Sequence, residues 1–160
     1  MKSLSTINIL VYNNAGILTR ISSILARRDF NIESINAAVV NKDDNKTRII
    51  ATISEEPDSV RQVVNQIEKL EDVINLEIMN NENFISREML LIRLEISSGD
   101  YLELNALTNL YGAKIVDYSS ENLFLELTGD KKNLDDFLKI ISKYKVVDVI
   151  RTGITGIKKF

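Results

Sequence analysis

The feature that most constrains the fold is an order of apolar periodicities that occurs twice. Between Thr6 and Tyr12, residues Ile7, Ile9 and Val11 alternate with their neighbours, the period of a half-buried strand. Ile17, Leu18, Ile21, Ile24 and Leu25 then recur at helical spacing, with Arg20, Ser23, Arg27 and Arg28 turned elsewhere. Alternation returns at Ile35, Ala37 and Val39, the polar run 41–47 predicts a turn, and Ile49, Ala51 and Ile53 predict the returning strand. Pro57, the one proline in 160 residues, suits the first turn of a helix, and the stripe Val60, Val63, Val64, Ile67 and Leu70 follows it. A last strand is expected from Asp72 to Met79. After the polar residues 80–83 the order repeats. It gives a strand near 86–96, a helix near 100–111, strands near 113–118 and 122–128, a helix near 130–143 striped by Leu134, Phe137, Leu138 and Ile141, and a strand near 145–151.

Each half reads βαββαβ, which folds as a four-stranded antiparallel sheet with both helices on one face, the ferredoxin-like arrangement. The expected fold class is α+β: two tandem ferredoxin-like domains, 1–79 and 85–160, joined by a linker at 80–84. Such a unit leaves one sheet face uncovered, and domains this small bury only roughly 60% of their unfolded-chain surface. Pairing with a second copy through a sheet face or edge restores burial, so a homodimer is expected.

Composition removes several function classes. The net charge of -3 leaves no cationic excess for a phosphate backbone, so no nucleic-acid partner is expected. The chain has no cysteine for a disulfide or thiolate metal site, and no signal peptide or long apolar span, which implies a cytoplasmic protein without a membrane partner. It also has no histidine, the commonest acid-base residue near neutral pH and the commonest transition-metal ligand. The acidic pairs Glu55-Glu56 and Asp135-Asp136 are adjacent and diverge. No catalytic or metal site is therefore expected.

The stretch "NNAGILTRISSILARRDFNIESI", Asn13 to Ile35, runs from a glycine-opened helix start to a second asparagine-bearing turn. Its beginning has two readings. Asn13 to Gly16 is either a plain turn and helix cap, or an anion site made by the unpartnered N–H groups of the first helical turn. In the second reading Gly16 lets a ligand approach the backbone and Asn13 offers an amide that both donates and accepts. With no Lys or Gly-rich loop to hold a phosphate, a small carboxylate such as that of an amino acid fits better.

The same stretch resembles the opening of an ACT domain, and more narrowly the regulatory small subunits of acetolactate synthase (acetohydroxyacid synthase). Asn13, Gly16, Leu18, Arg20, Ile21, Arg28, Phe30, Asn31, Ile32, Glu33 and Ser34 match that family's pattern. "SREMLLIRL" at 86–94 and "VVDVIRTGITGI" at 146–157 resemble its second domain. The resemblance implies a non-catalytic subunit that binds and activates a catalytic large subunit and confers feedback inhibition by valine in branched-chain amino acid synthesis. Thiamine diphosphate, magnesium and a flavin would belong to that partner, and no cofactor to this chain. Valine would lie between two ACT domains, on backbone groups of Gly16, Ile17 and Leu18 and on Asn13, with Asn31 and Ile32 from the opposite chain. Arg48, Arg87 and Arg151 are candidate contacts with the large subunit, or simply exposed strand residues. Two positions depart from the family: Asp29 stands for the usual Gly at the helix end, where a left-handed backbone is expected, and Ala15 stands where related motifs often have Pro. The rival readings are a free-standing amino-acid sensor acting on another protein, a small ferredoxin-like enzyme, and an RNA-binding variant; the last lacks the basic, aromatic strand pattern.

Overall fold

The computed structural model describes residues 3–41, 43–80, 82–97 and 99–160; Lys42 in the expected turn and Asn81 in the expected linker lie outside them. The element order is β1 (Ser3–Tyr12), α1 (Ile17–Ala26), β2 (Asn31–Asn41), β3 (Lys46–Glu55), α2 (Pro57–Ile67), β4 (Val73–Met79), β5 (Phe84–Glu95), α3 (Tyr101–Tyr111), β6 (Lys114–Tyr118), β7 (Asn122–Gly129), α4 (Lys131–Ile141), β8 (Lys145–Arg151) and β9 (Thr155–Lys158). One sheet has the order β2-β3-β1-β4 and the other β6-β7-β5-β8, with β9 added to β5. The βαββαβ order thus occurs twice, as the periodicities predict.

The chain forms two compact units, residues 1–86 with 153–160 and residues 87–152. The last eight residues, which the expected boundaries put in the second domain, cluster with the first. Their strand β9 has only four residues and follows a glycine with positive φ, so no alternation announces it.

In the first unit, Ile7, Ile9 and Val11 of central β1 are fully buried against Ile17, Ile21 and Leu25 of α1 and Val60, Val63, Val64 and Ile67 of α2. Leu18 departs from its expected place in the α1 stripe and is 41% exposed. It follows Ile17 by one residue, about 100° around the helix, which turns it off the sheet.

The other face of this sheet is not bare. Asn8 pairs with Ile50 and Thr6 with Thr52, and Asn8, Ile50 and Thr52 are all buried although they point away from the helices. Residues 153–160 cross this face. Asn36 Nδ2 on β2 donates to the Ile154 carbonyl at 2.9 Å, and Lys158 Nζ donates to Glu77 Oε1 on β4 at 2.6 Å. The expectation of an uncovered face is corrected here by the chain's own tail. The Lys158 ammonium holds the Glu77 carboxyl below its ordinary value of 4.5. A lowered folded-state value means this contribution to stability is present above pH 4.5 and is lost as pH falls through the lowered value. Lys158→Ala is expected to raise the Glu77 pKa, measured by NMR titration of its side-chain carbonyl.

The second unit packs Leu90, Ile92 and Leu94 of β5 and Leu123, Leu125 and Leu127 of β7 beneath Leu104 of α3 and Leu134, Phe137 and Ile141 of α4. Its opposite face carries Leu91, Val116, Phe124 and Ile150 around Arg93 and Asp148, in an open groove. Leu91, Val116 and Ile150 are exposed there, as the one-sided architecture predicts. Arg151 of β8 joins the elements of this unit: its guanidinium contacts buried Glu88 on β5 and reaches Asp135 Oδ1 on α4 at 2.7 Å.

Candidate functional site

The β1–α1 junction is a tight turn built by its own backbone. Tyr12 N–H donates to the Asp72 carbonyl (2.9 Å), Asn13 N–H to that of Asn45 (2.7 Å) and Asn14 N–H to that of Tyr12 (2.8 Å). Gly16 then starts α1 at φ 82°, ψ 1°, and no side chain caps the helix. Ile17 N–H bonds the Asn14 carbonyl at 3.2 Å, and Arg20 N–H closes the first full turn on the Gly16 carbonyl at 3.0 Å. The N–H groups of Leu18 and Thr19 lie between these two and have no intrahelical acceptor, at the positive end of the helix dipole.

The surroundings suit a small anion. A Cβ placed on Gly16 would meet nothing within 4 Å, so the space above this turn is open. Asn13 and Leu18 are exposed beside it, while Ile17 is buried and offers only its backbone. The segment 13–18 presents amides and N–H groups and no titratable side chain. It can hold a carboxylate by hydrogen bonds, and it has no group that would act on one.

Two residues that stabilise the turn escaped the sequence reading of the site. Asp72, just before β4, is 8% exposed; its carboxylate accepts from Asn14 Nδ2 at 2.5 Å and pairs with the Arg20 guanidinium. Arg20 neutralises Asp72, so this carboxylate leaves the helix N-terminus attractive to another anion. Nothing local in the sequence marks Asp72. It arrives through the pairing of β4 with β1, in which Val11 faces Val73.

Asn31 and Ile32 are not brought to this turn within one chain. Asn31 pairs with Ser54 near the end of β3, whereas Tyr12 pairs with Lys46 at its start. The ten residues of α1 also separate the two segments, by about 15 Å of helix. Asn31 Nδ2 donates to Glu33 Oε1 at 2.9 Å. Among the described residues β2 pairs only with β3, so its outer edge is open, and Ile35, Val39 and Val40 along it are exposed.

Asp29 has φ 56°, the left-handed conformation expected where the resembled family has glycine. Asp tolerates it better than most residues but at some cost. Asp29→Gly is expected to stabilise the first unit by up to about 1 kcal/mol, raising its melting temperature by roughly 4 °C; calorimetry checks this.

The three candidate contact arginines separate into different settings. Arg48 is half-buried on β3, opposite Leu10 and Ala38, on the face away from the helices, and its charge helps lower the Glu77 pKa. Arg87 is exposed on β5. Arg151 is engaged within the second unit by Glu88 and Asp135, and these two carboxylates raise its pKa against the effect of burial. Among the described residues no cluster of three or more His, Cys, Asp or Glu side chains is placed to hold a metal, and no helix is long and apolar enough to cross a membrane.

Comparison with known proteins is consistent along the whole chain. Residues 7–75 match the family described as an AHAS small subunit-like ACT domain, and residues 87–159 match the one described as the small subunit of acetolactate synthase. The acetolactate synthase small subunit of Mycolicibacterium smegmatis is 30% identical over 155 residues, covering 96% of this chain and 90% of that one. A probable acetolactate synthase small subunit of Archaeoglobus fulgidus is 33% identical over 148 residues, 92% of each. The crystal structure of the acetolactate synthase small subunit from Thermotoga maritima superposes with a TM-score of 0.88 at 26% identity, covering 99% of this chain and 98% of that one.

Proposed function

Because the chain belongs to the family of acetolactate synthase small subunits, which are regulatory subunits, we propose that it binds and activates a catalytic large subunit and makes it sensitive to valine. The observation that carries the effector part is the uncapped, glycine-started N-terminus of α1, with open space above it and an exposed Asn13 beside it. Valine places its carboxylate on the N–H groups of Gly16 and Leu18, at the turn that Ile17 fixes through its own N–H bond to the Asn14 carbonyl, and Asn13 meets its remaining polar atoms. Asn31 and Ile32 of a second copy form the opposite wall.

The open edge of β2 supports that arrangement. An exposed strand edge flanked by Ile35, Val39 and Val40 is a surface that soluble proteins cover or blunt, and a second β2 would cover it in a homodimer. Thiamine diphosphate, magnesium and the flavin belong to the catalytic chain, which this chain contacts through Arg48 and Arg87, while Arg151 orders the second unit. A thermal melt with added amino acids tests the effector site. At about 100 times its dissociation constant valine adds roughly 2.7 kcal/mol to the folded state, raising the melting temperature by about 10 °C or more. An unchanged melt with valine, leucine and isoleucine would remove the effector site from the account.

A further inference from the structure

Residues 153–160 follow directly on Thr152, the last residue of the second unit, and pack on the first unit's sheet. They engage both edges of it. On β2, Asn36 Nδ2 holds the Ile154 carbonyl. Gly153, at φ 79°, lies so close to Ser34 that an added Cβ would overlap that side chain, its Oγ only 2.6 Å away. On the β4 side, Lys158 pairs with Glu77, while Lys159 donates from its backbone N–H to the Asn83 carbonyl at 2.8 Å and from Nζ to that of Glu82 at 3.0 Å.

Two features make this segment suited to detach. The face beneath it sets polar Thr6, Asn8 and Thr52 beside buried Ile50, so release opens the pairing of β9 with β5 and exposes one large apolar side chain, but Asn8 Oδ1 is buried there without a hydrogen-bond partner. Release lets water satisfy that oxygen, which offsets part of the cost of opening. Ser34 and Asn36 also lie on the same strand as Asn31 and Ile32. Between Ile32 and Ser34 the pairing of β2 with β3 shifts register, so the strand has slack at the point that joins the effector wall to the tail contacts.

We propose that residues 153–160 form a strap that is docked or released according to the occupancy of the effector site, and that it carries this state to the second unit through the covalent bond at Thr152. This rests on the effector reading above. Valine bound against Asn31 and Ile32 favours one position of β2, and Ser34 and Asn36 convert that position into a different affinity for the strap. Two sites and one two-state element are what such coupling requires.

The test combines hydrogen exchange on the full chain with assays alongside the catalytic subunit. In the unaltered chain, valine raises the melting temperature and changes amide exchange across 154–160 by at least fivefold. Gly153→Ala forces a side chain into Ser34, and Asn36→Asp sets a carboxylate against the Ile154 carbonyl. Both variants are expected to keep the valine-induced melting shift and the stimulation of the catalytic subunit, and to lose most of the inhibition by valine. A valine melting shift with unchanged strap exchange, or full inhibition retained in both variants, would overturn the strap and leave the effector site standing. No melting shift in the unaltered chain would overturn the effector site, and the strap with it.

Discussion

Replacing Glu88 with alanine is expected to destabilise the second unit by about 3 kcal/mol. Glu88 is 5% exposed on β5 and is the buried partner of Arg151, whose other partner, Asp135, comes from α4. Removing the carboxylate leaves an arginine side chain nearly three-quarters buried, with one partner and an Nη2 atom that already lacks a hydrogen bond. Most of the loss is the cost of an unmatched buried charge, not the net strength of the ion pair. Substituting both members, Glu88→Met with Arg151→Met, is therefore expected to recover much of it. Urea unfolding followed by tyrosine fluorescence reads this directly, because four of the five tyrosines, Tyr101, Tyr111, Tyr118 and Tyr144, lie in the second unit. A loss below about 0.5 kcal/mol would show that Arg151 is solvated and not a joint of the unit.

Gly16→Asp is expected to weaken valine binding by at least 100-fold, about 2.7 kcal/mol, while the first unit stays folded. A Cβ at this position meets no neighbour, and aspartate tolerates the left-handed backbone, so the folding cost stays near 1 kcal/mol. The new carboxylate, however, sits at the same N–H groups and the same dipole end that the effector would use, and competes from within the chain. Isothermal titration with valine measures the loss. Undiminished affinity would place the effector elsewhere.

Most of the strands and helices were legible because they carry their period plainly. Ile7, Ile9 and Val11 alternate, Leu134, Phe137 and Ile141 fall on one helical stripe, and Pro57 marks a first turn; all of these hold in the structure. The left-handed Asp29 was legible through the family resemblance, which has glycine at this helix end. What was not legible depends on register. Asp72 reaches Asn14 from 58 positions away, and Asn36 reaches Ile154 from 118. No local pattern encodes either contact. The packing of the tail 153–160 on the first unit was not legible for the same reason: its partners, Ser34, Asn36 and Glu77, are distant in sequence and become neighbours only when the first sheet has formed. Gly16 was found as a candidate because a backbone site needs only a local signature. Asn31 and Ile32 lie away from that turn within one chain, so the proposed second wall calls for another copy.

The most direct test of the regulatory role is acetolactate formation from pyruvate by the catalytic large subunit from the same source, titrated with this chain with and without valine. A saturable rise in rate, reversed by valine, is the expected result. No rise at any ratio of the two chains would contradict the subunit assignment and point to a free-standing amino-acid sensor.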